Sequence, residues 1–209
     1  MKKIILPSII LILLAAFLLI VWLDKAEVEA LPPMDVHAPE DSAIRYVREM
    51  ESGNFTISSN SVEAIQTVEL KDLVLVLVQY SGTRRGGGVE TCEMVLETEK
   101  VLIRGWETKS GSSLCHEVDD PTNSVPITIG SSMGNSTLLN PGYSTIYGFV
   151  RDPQITKVVV TWDDGQIQPL EVQVSTYLAA REGASHMIKI EAHNDQNEIV
   201  FQTRLGTVE

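Results

Sequence analysis

The chain reads as mainly β with a smaller α contribution, and three observations carry that reading. An uncharged apolar run, Ile4 to Leu23, opens the chain and is closed by Asp24-Lys25. A second apolar run, LVLVLVQY from Leu73 to Tyr80, is continuous, β-branched and without a polar face, as a strand covered on both sides or central in a sheet would be. Beyond residue 125, short apolar runs alternate with turn dipeptides.

The first run sets the context. Twenty helical residues at about 1.5 Å each reach roughly 30 Å, the thickness of a bilayer's hydrocarbon core. Lys2-Lys3 before it favours a cytoplasmic N-terminus, with the rest of the chain outside. A cleaved signal peptide has a shorter apolar core, and the competing exit site, Val28-Glu29-Ala30, lies past the charged pair. Residues 1–25 are therefore predicted to be an uncleaved transmembrane signal-anchor, placing the protein in the cell membrane as a single-pass chain with extracytoplasmic domains. No cysteine follows the span closely, which argues against a lipid-modified lipoprotein. Residues 26–38 form a stalk stiffened by Pro32-Pro33.

Pro39, Glu40 and Asp41 suit the first turn of a helix, and Ile44, Val47 and Met50 or Tyr46 make an apolar stripe, predicting a helix over 39–51. Strands are then expected at Val62–Leu70 and Leu73–Tyr80. The glycine-rich loop SGTRRGGG covers Ser81–Gly88. A further hairpin joins Val89–Glu97 to Val101–Glu107 around Thr98-Glu99-Lys100. Together, 39–116 read as an α+β domain, one helix on a small antiparallel sheet. A helix covers one face of such a sheet, so the other face of Leu73–Tyr80 is expected to lie against the second half.

Residues 117–125, EVDDPTNSV, read as a linker. From 126 to 209 the pattern is all β. Strands are expected at Pro126–Gly130, Tyr143–Val150, Ile155–Trp162, Ile167–Val174, Met187–His193 and Glu198–Thr203, with a polar loop over Ser131–Gly142. Asp164-Gly165 between two of them is the strongest hairpin signal in the chain. Six short strands so closely spaced predict an immunoglobulin-like β-sandwich, although the Cys–Trp–Cys hallmark is missing.

The stretch YGFVRDPQITKVVVTWDDGQ, Tyr147 to Gln166, resembles segments of uncharacterised, N-terminally membrane-anchored extracytoplasmic proteins of Gram-positive bacteria. The helix–sheet half before it is similar to what accompanies such segments, and the resemblance extends over residues 1–205. It implies an anchored, exported protein. No activity is attached to that group, so no functional residues carry over.

Charge narrows the partners. Without Lys2, Lys3, Lys25 and Asp24, the remaining chain has 13 basic and 27 acidic residues, a net of −14. Such a surface repels nucleic acid and anionic lipid. No Asp-x-Asp-x-Asp-Gly calcium loop occurs. Cys92 and Cys115 lie in the exported part, where a disulfide is permitted, and they are read as a pair. Closing a loop of that length is worth roughly 3 kcal/mol in the chain-entropy picture.

The search for chemistry finds no catalytic residue, metal set or cofactor motif. His37, His116, His186 and His193 fall in no ligand spacing and read as surface or strand-edge residues. Ser-x-x-Lys is absent. SGTRRGGG lacks the Gly-Lys-Ser/Thr ending of a phosphate loop. Asp163-Asp164 are adjacent in a turn and so cannot flank a sugar from opposite sides. Trp106 and Trp162 read as core aromatics. Arg84 and Arg85 form the one basic cluster on an acidic exported region and are the interaction candidate, for an acidic partner or an envelope polymer. The expectation is a non-enzymatic, membrane-anchored binding protein with a protein or cell-envelope ligand. The alternatives are an envelope hydrolase with an unrecognised site and a structural accessory subunit of a membrane complex.

Overall fold

The computed structural model describes residues 38–50, 54–71, 73–101, 105–117, 125–134 and 142–204. The expected anchor, nearly all of the stalk and most of the linker lie outside these residues. Among the described residues no helix is long and apolar enough to cross a membrane.

The described chain is mainly β, and every strand pairing is antiparallel. Helix α1 spans Pro39–Glu49, with Pro39 at its start, Glu40 and Asp41 in the first turn and Arg48 in the last. Those charges complement the helix dipole at both ends. Its buried apolar residues are Ala43 and Val47, while Ile44, Tyr46 and Met50 pack at the margin. The buried stripe thus lies one residue away from the expected one, because small Ala43 allows the helix axis to approach the sheet.

That sheet contains β1 (Phe55–Ile57), β2 (Glu63–Glu69), β3 (Val74–Arg84), β4 (Val89–Val101) and β5 (Gly105–Glu117). β1 and β2 share one edge of β3, and β4 and β5 follow on the other side. Several boundaries differ from expectation, among them the end of the last strand of this sheet, which runs to Glu117 and not Glu107. β3 continues through Ser81–Arg84, because β1 pairs with that end (Phe55 with Arg84, Ile57 with Gly82) and satisfies its backbone. The glycine-rich loop shrinks to Arg85–Gly88. The expected turn at Thr98-Glu99-Lys100 is strand instead: Thr98 is fully buried and its Oγ1 donates to the Val74 carbonyl at 2.7 Å. β4 therefore runs on to Val101, and β5 begins at Gly105, whose φ of +75° suits glycine.

The second half forms two sheets. One has the order β10-β7-β6, from β6 (Gly130–Gly134), β7 (Tyr143–Phe149) and β10 (Thr176–Glu182). The other has the order β12-β11-β8-β9, from β8 (Lys157–Trp162), β9 (Ile167–Glu171), β11 (Met187–His193) and β12 (Ile199–Arg204). They face one another across a core that includes Ile146, Val158, Val160, Trp162, Tyr177 and Ile190. The Asp164-Gly165 hairpin forms as expected, with Gly165 at φ +82° between β8 and β9. β6 falls where a polar loop is expected; as an edge strand it pairs only with β7 and exposes Ser131 and Met133. Of the expected Pro126–Gly130 strand, Ile127 makes an isolated bridge to Val150.

The two halves meet through the second face of β3. Leu73, Leu75, Leu77 and Val95 pack against Tyr143, Tyr147, Leu178 and Ala180 of the β10-β7-β6 sheet. The layers are therefore helix, five-stranded sheet, three-stranded sheet and four-stranded sheet. Lys71 N–H donating to Glu182 Oε1 at 2.8 Å and Gln66 Nε2 donating to the Thr176 carbonyl at 3.4 Å add polar links. Fully burying a leucine is worth about 1.5–3 kcal/mol, so this row contributes a substantial part of a domain's net stability. Leu77→Ala is expected to cost about 2–5 kcal/mol in urea unfolding. A change within about 0.5 kcal/mol, as at an exposed site, would mean the halves do not pack through this row.

Candidate functional site

The residues singled out from sequence converge on one corner of the five-stranded sheet. At the β3–β4 tip, Arg85 N–H donates to the Asn54 carbonyl at 2.8 Å, holding β1 over the end of β3. Gly82 lets the Phe55 ring lie against the strand: a Cβ there would sit 2.3 Å from Phe55 Cε1. Phe55 in turn meets Tyr80 edge to face, centroids 6.2 Å apart. Phe55, Tyr80, Met50, Asn54, Arg84, Glu90, Ser113 and Cys115 line a cavity of about 240 Å³.

Arg84 is not a free cation. Its Nε and Nη2 donate to Glu90 Oε1 and Oε2 at 2.7 and 3.0 Å. The Glu90 side chain is 8% exposed against 61% for Arg84, so the guanidinium acts as a cap on a nearly buried carboxylate. Arg85 is exposed on the turn and makes no ion pair among the described residues. The exposed basic feature thus reduces to Arg85.

Cys92 and Cys115 are disulfide-bonded, directly opposite one another on β4 and β5. Cys92 is fully buried in the helix–sheet core, whereas Cys115 is exposed on the outer strand. A carboxylate oxygen of Glu90 lies within 4.8 Å of both sulfurs. Sulfurs bonded to each other are not thiolate ligands, so this trio is no metal site while the bond is closed. The neighbours Cys115 and His116 point to opposite faces of β5, as strand geometry dictates.

A second concentration of ionisable groups lies on the other face, between the sheets. Glu93 is fully buried, and neither carboxylate oxygen has a hydrogen-bond partner. Burial lifts its pKa from the ordinary 4.5 to about 8, with the Arg151 guanidinium pulling the other way. At neutral pH the carboxyl is mostly protonated. His116 packs its ring on Phe149, centroids 4.9 Å apart. Burial, then Arg151, lowers the His116 pKa. Two nearby phenols are hydrogen-bonded: Tyr147 Oη, on this seam, donates to the Ser112 carbonyl at 2.9 Å, and Tyr177 Oη, in the core between the sheets of the second half, donates to the Thr128 carbonyl at 2.7 Å.

A buried, perturbed carboxyl is the kind of group active sites use. Access is what Glu93 lacks. It lines neither the cavity at the tip nor a second one of about 180 Å³ between Ser131–Met133, Ser144–Ile146 and Ser185–Met187. Two remaining candidates resolve as structure. Trp162 is buried, with Nε1 donating to Gln168 Oε1 at 3.2 Å and Arg181 above its ring. Asp164 is held bidentately by Arg181 at 2.9 and 2.7 Å, which lowers its pKa.

The sequence reading missed Glu90 and Glu93. A signal for Glu93 was present: in TCEMVLE, residues 92, 94 and 96 are apolar on one face, which leaves Glu93 beside Val95 on the face that β3's leucines share. Glu90 carried no such signal, since its burial depends on Arg84 folding back over it. Comparison of the chain with protein-family models, with curated proteins and with solved structures finds no match.

Two outcomes follow from these pairings. Arg84→Ala leaves a nearly buried carboxylate unpaired and is expected to lower stability clearly more than Arg85→Ala; equal effects in chemical denaturation would contradict the cap. Because the Glu93 pKa is higher folded than unfolded, its contribution is full below about pH 4.5 and is lost as pH rises through about 8. Glu93→Gln should therefore flatten the fall of stability between pH 5 and 7.5 by up to about 1.4 kcal/mol per pH unit relative to the wild type. Parallel pH profiles for the two proteins would show that Glu93 is not protonated in the fold.

Proposed function

We propose that this chain is a single-pass, membrane-anchored extracytoplasmic protein that binds a protein or cell-envelope ligand and performs no chemistry on it. The observation that carries this reading is the β3–β4 corner. A small concave surface there combines aromatic and thioether walls (Phe55, Tyr80, Met50) with a few fixed polar groups, the usual make-up of a recognition site. Exposed Arg85 stands on the adjoining turn of an otherwise acidic molecule, suited to a carboxylate or phosphate on the ligand.

Several features support the rest. The apolar run at 4–23 favours an anchor. A disulfide in the following chain fits an oxidising, extracytoplasmic setting. The resemblance of Tyr147–Gln166 to anchored proteins of Gram-positive bacteria points the same way. The order β10-β7-β6 facing β12-β11-β8-β9 supports an immunoglobulin-like sandwich for residues 126–209, a scaffold that presents loops and strand edges.

Glu93 favours a second reading, an envelope hydrolase using a buried protonated carboxyl. It ranks lower because the group lines neither described cavity. An accessory subunit of a membrane complex would share the anchor and the binding surface.

Cross-linking of tagged full-length protein on intact cells, with mass spectrometry of the recovered material, tests the binding reading. A reproducible partner whose capture falls several-fold in Arg85→Glu, with folding intact, is the expected result. Capture unchanged in that variant would remove the tip from the interface, and recovery of this chain alone would argue against a protein ligand.

A further inference from the structure

The disulfide at the corner is asymmetric in a way that a purely structural cross-link does not require. Cys92 is sealed in the core beneath α1. Cys115 is exposed and forms part of the cavity wall. A nucleophile entering the cavity therefore meets one sulfur only. Beside both sulfurs lies the Glu90 carboxylate, within 4.8 Å and shielded from solvent by its pair with Arg84.

We propose that Cys92–Cys115 is a reversible thiol–disulfide exchange site, opened by attack of an external thiolate on Cys115 from the cavity. It goes beyond the binding reading and holds whatever ligand the cavity takes up. In the first step a thiolate RS⁻ bonds to Cys115 Sγ, the Cys92–Cys115 bond breaks, and its electron pair leaves on Cys92 Sγ. In the second, the other thiolate of a dithiol donor attacks the R sulfur of the mixed disulfide and releases Cys115 as thiolate. Two electrons pass from the dithiol, which becomes a disulfide, to the protein, which gains two thiols after protonation.

The geometry assigns a role to each neighbour. A thiolate on Cys92 is formed in an apolar core, where burial disfavours charge, so its proton must move locally. Glu90, an ionised carboxylate in its pair with Arg84, is placed to receive that proton when the bond re-forms; when the bond opens, the proton that Cys92 takes up comes from solvent through the cavity that Glu90 lines. Exposed disulfides are the more readily reduced class. The fold tolerates opening, because β4 and β5 remain joined by a ladder from Glu90–Glu117 to Val101–Gly105 that does not depend on the sulfurs. Only two residue pairs lie beyond the cysteines, so opening frees the end of β5 and one wall of the cavity.

The test uses full-length protein in native buffer with mixtures of reduced and oxidised glutathione, then with excess dithiothreitol. Acid quenching, alkylation and peptide mass spectrometry follow, and circular dichroism is recorded alongside. The expected result is a glutathione adduct at least tenfold more abundant on the Cys115 peptide than on the Cys92 peptide, with complete reduction by dithiothreitol while the β spectrum persists. Glu90→Gln should slow re-oxidation and alter its pH dependence, a readout that a merely structural Glu90 would not move. If that variant does not fold, Cys92→Ser tests the same site: its Cys115 should take up glutathione readily. Equal adducts on both cysteines, or a bond that resists dithiothreitol until urea unfolds the chain, would overturn the proposal.

Discussion

Strand β3 is buried on both faces, and the rest of the molecule is arranged around that fact. Val74, Val76, Val78 and Tyr80 point to the helix, and Leu75 and Leu77 point to the β10-β7-β6 sheet. Each side chain is removed from water only because both covering layers are present. Loss of either layer would expose a row of large apolar residues, which a monomeric soluble surface rarely carries. The two halves therefore share a core across a seam, not merely a tether.

That seam is not uniformly apolar. Beside the leucines lie Tyr143, Tyr147 and Glu93, and the first two send their hydroxyls to Glu97 and to Ser112 on the opposite sheet. Satisfied phenols cost little, since each keeps a hydrogen bond in exchange for its water. Glu93 is the exception. A carboxyl with no partner is destabilising where it stands, and burial answers this by keeping it protonated at the expense of sensitivity to high pH. Adjacent residues on β4 thus belong to different worlds: Cys92 faces the helix core and Glu93 faces the seam.

The β3–β4 corner shows how one backbone feature gathers functional groups. Pairing of β1 along the end of β3 straightens Ser81–Arg84 into strand, which brings Arg84 over Glu90. Glu90 then sits beside the disulfide two positions along β4. The same pairing lays Phe55 on Gly82 and builds the cavity wall. A cation that looks free in the sequence is committed to a carboxylate, and the exposed charge moves one residue on, to Arg85.

Local chemistry alone determined a good deal of this protein. The predominance of strands, the helix opening at Pro39, the central burial of Leu73–Tyr80 and the Asp164-Gly165 hairpin follow from period, proline and glycine placement, because each is decided by residues within a turn or two of one another. The pairing of the two cysteines was likewise legible in a chain with no other cysteine. Strand β10 was not: TYLAARE has no alternation, and the turn before it uses Val174 and Ser175 at positive φ (47° and 60°), where sequence offers no glycine or asparagine as a marker. Reciprocal hydrogen bonds between Gln173 and Thr176 and one from Val150 N–H to the Ser175 carbonyl hold that turn, whereas packing holds Thr98 in a strand and Glu93 out of water. The partner of Arg84, the one-sided exposure of the disulfide and the contact between the halves are set by residues far apart in the chain. Pattern reports which face is apolar, and only the assembled layers decide what that face meets.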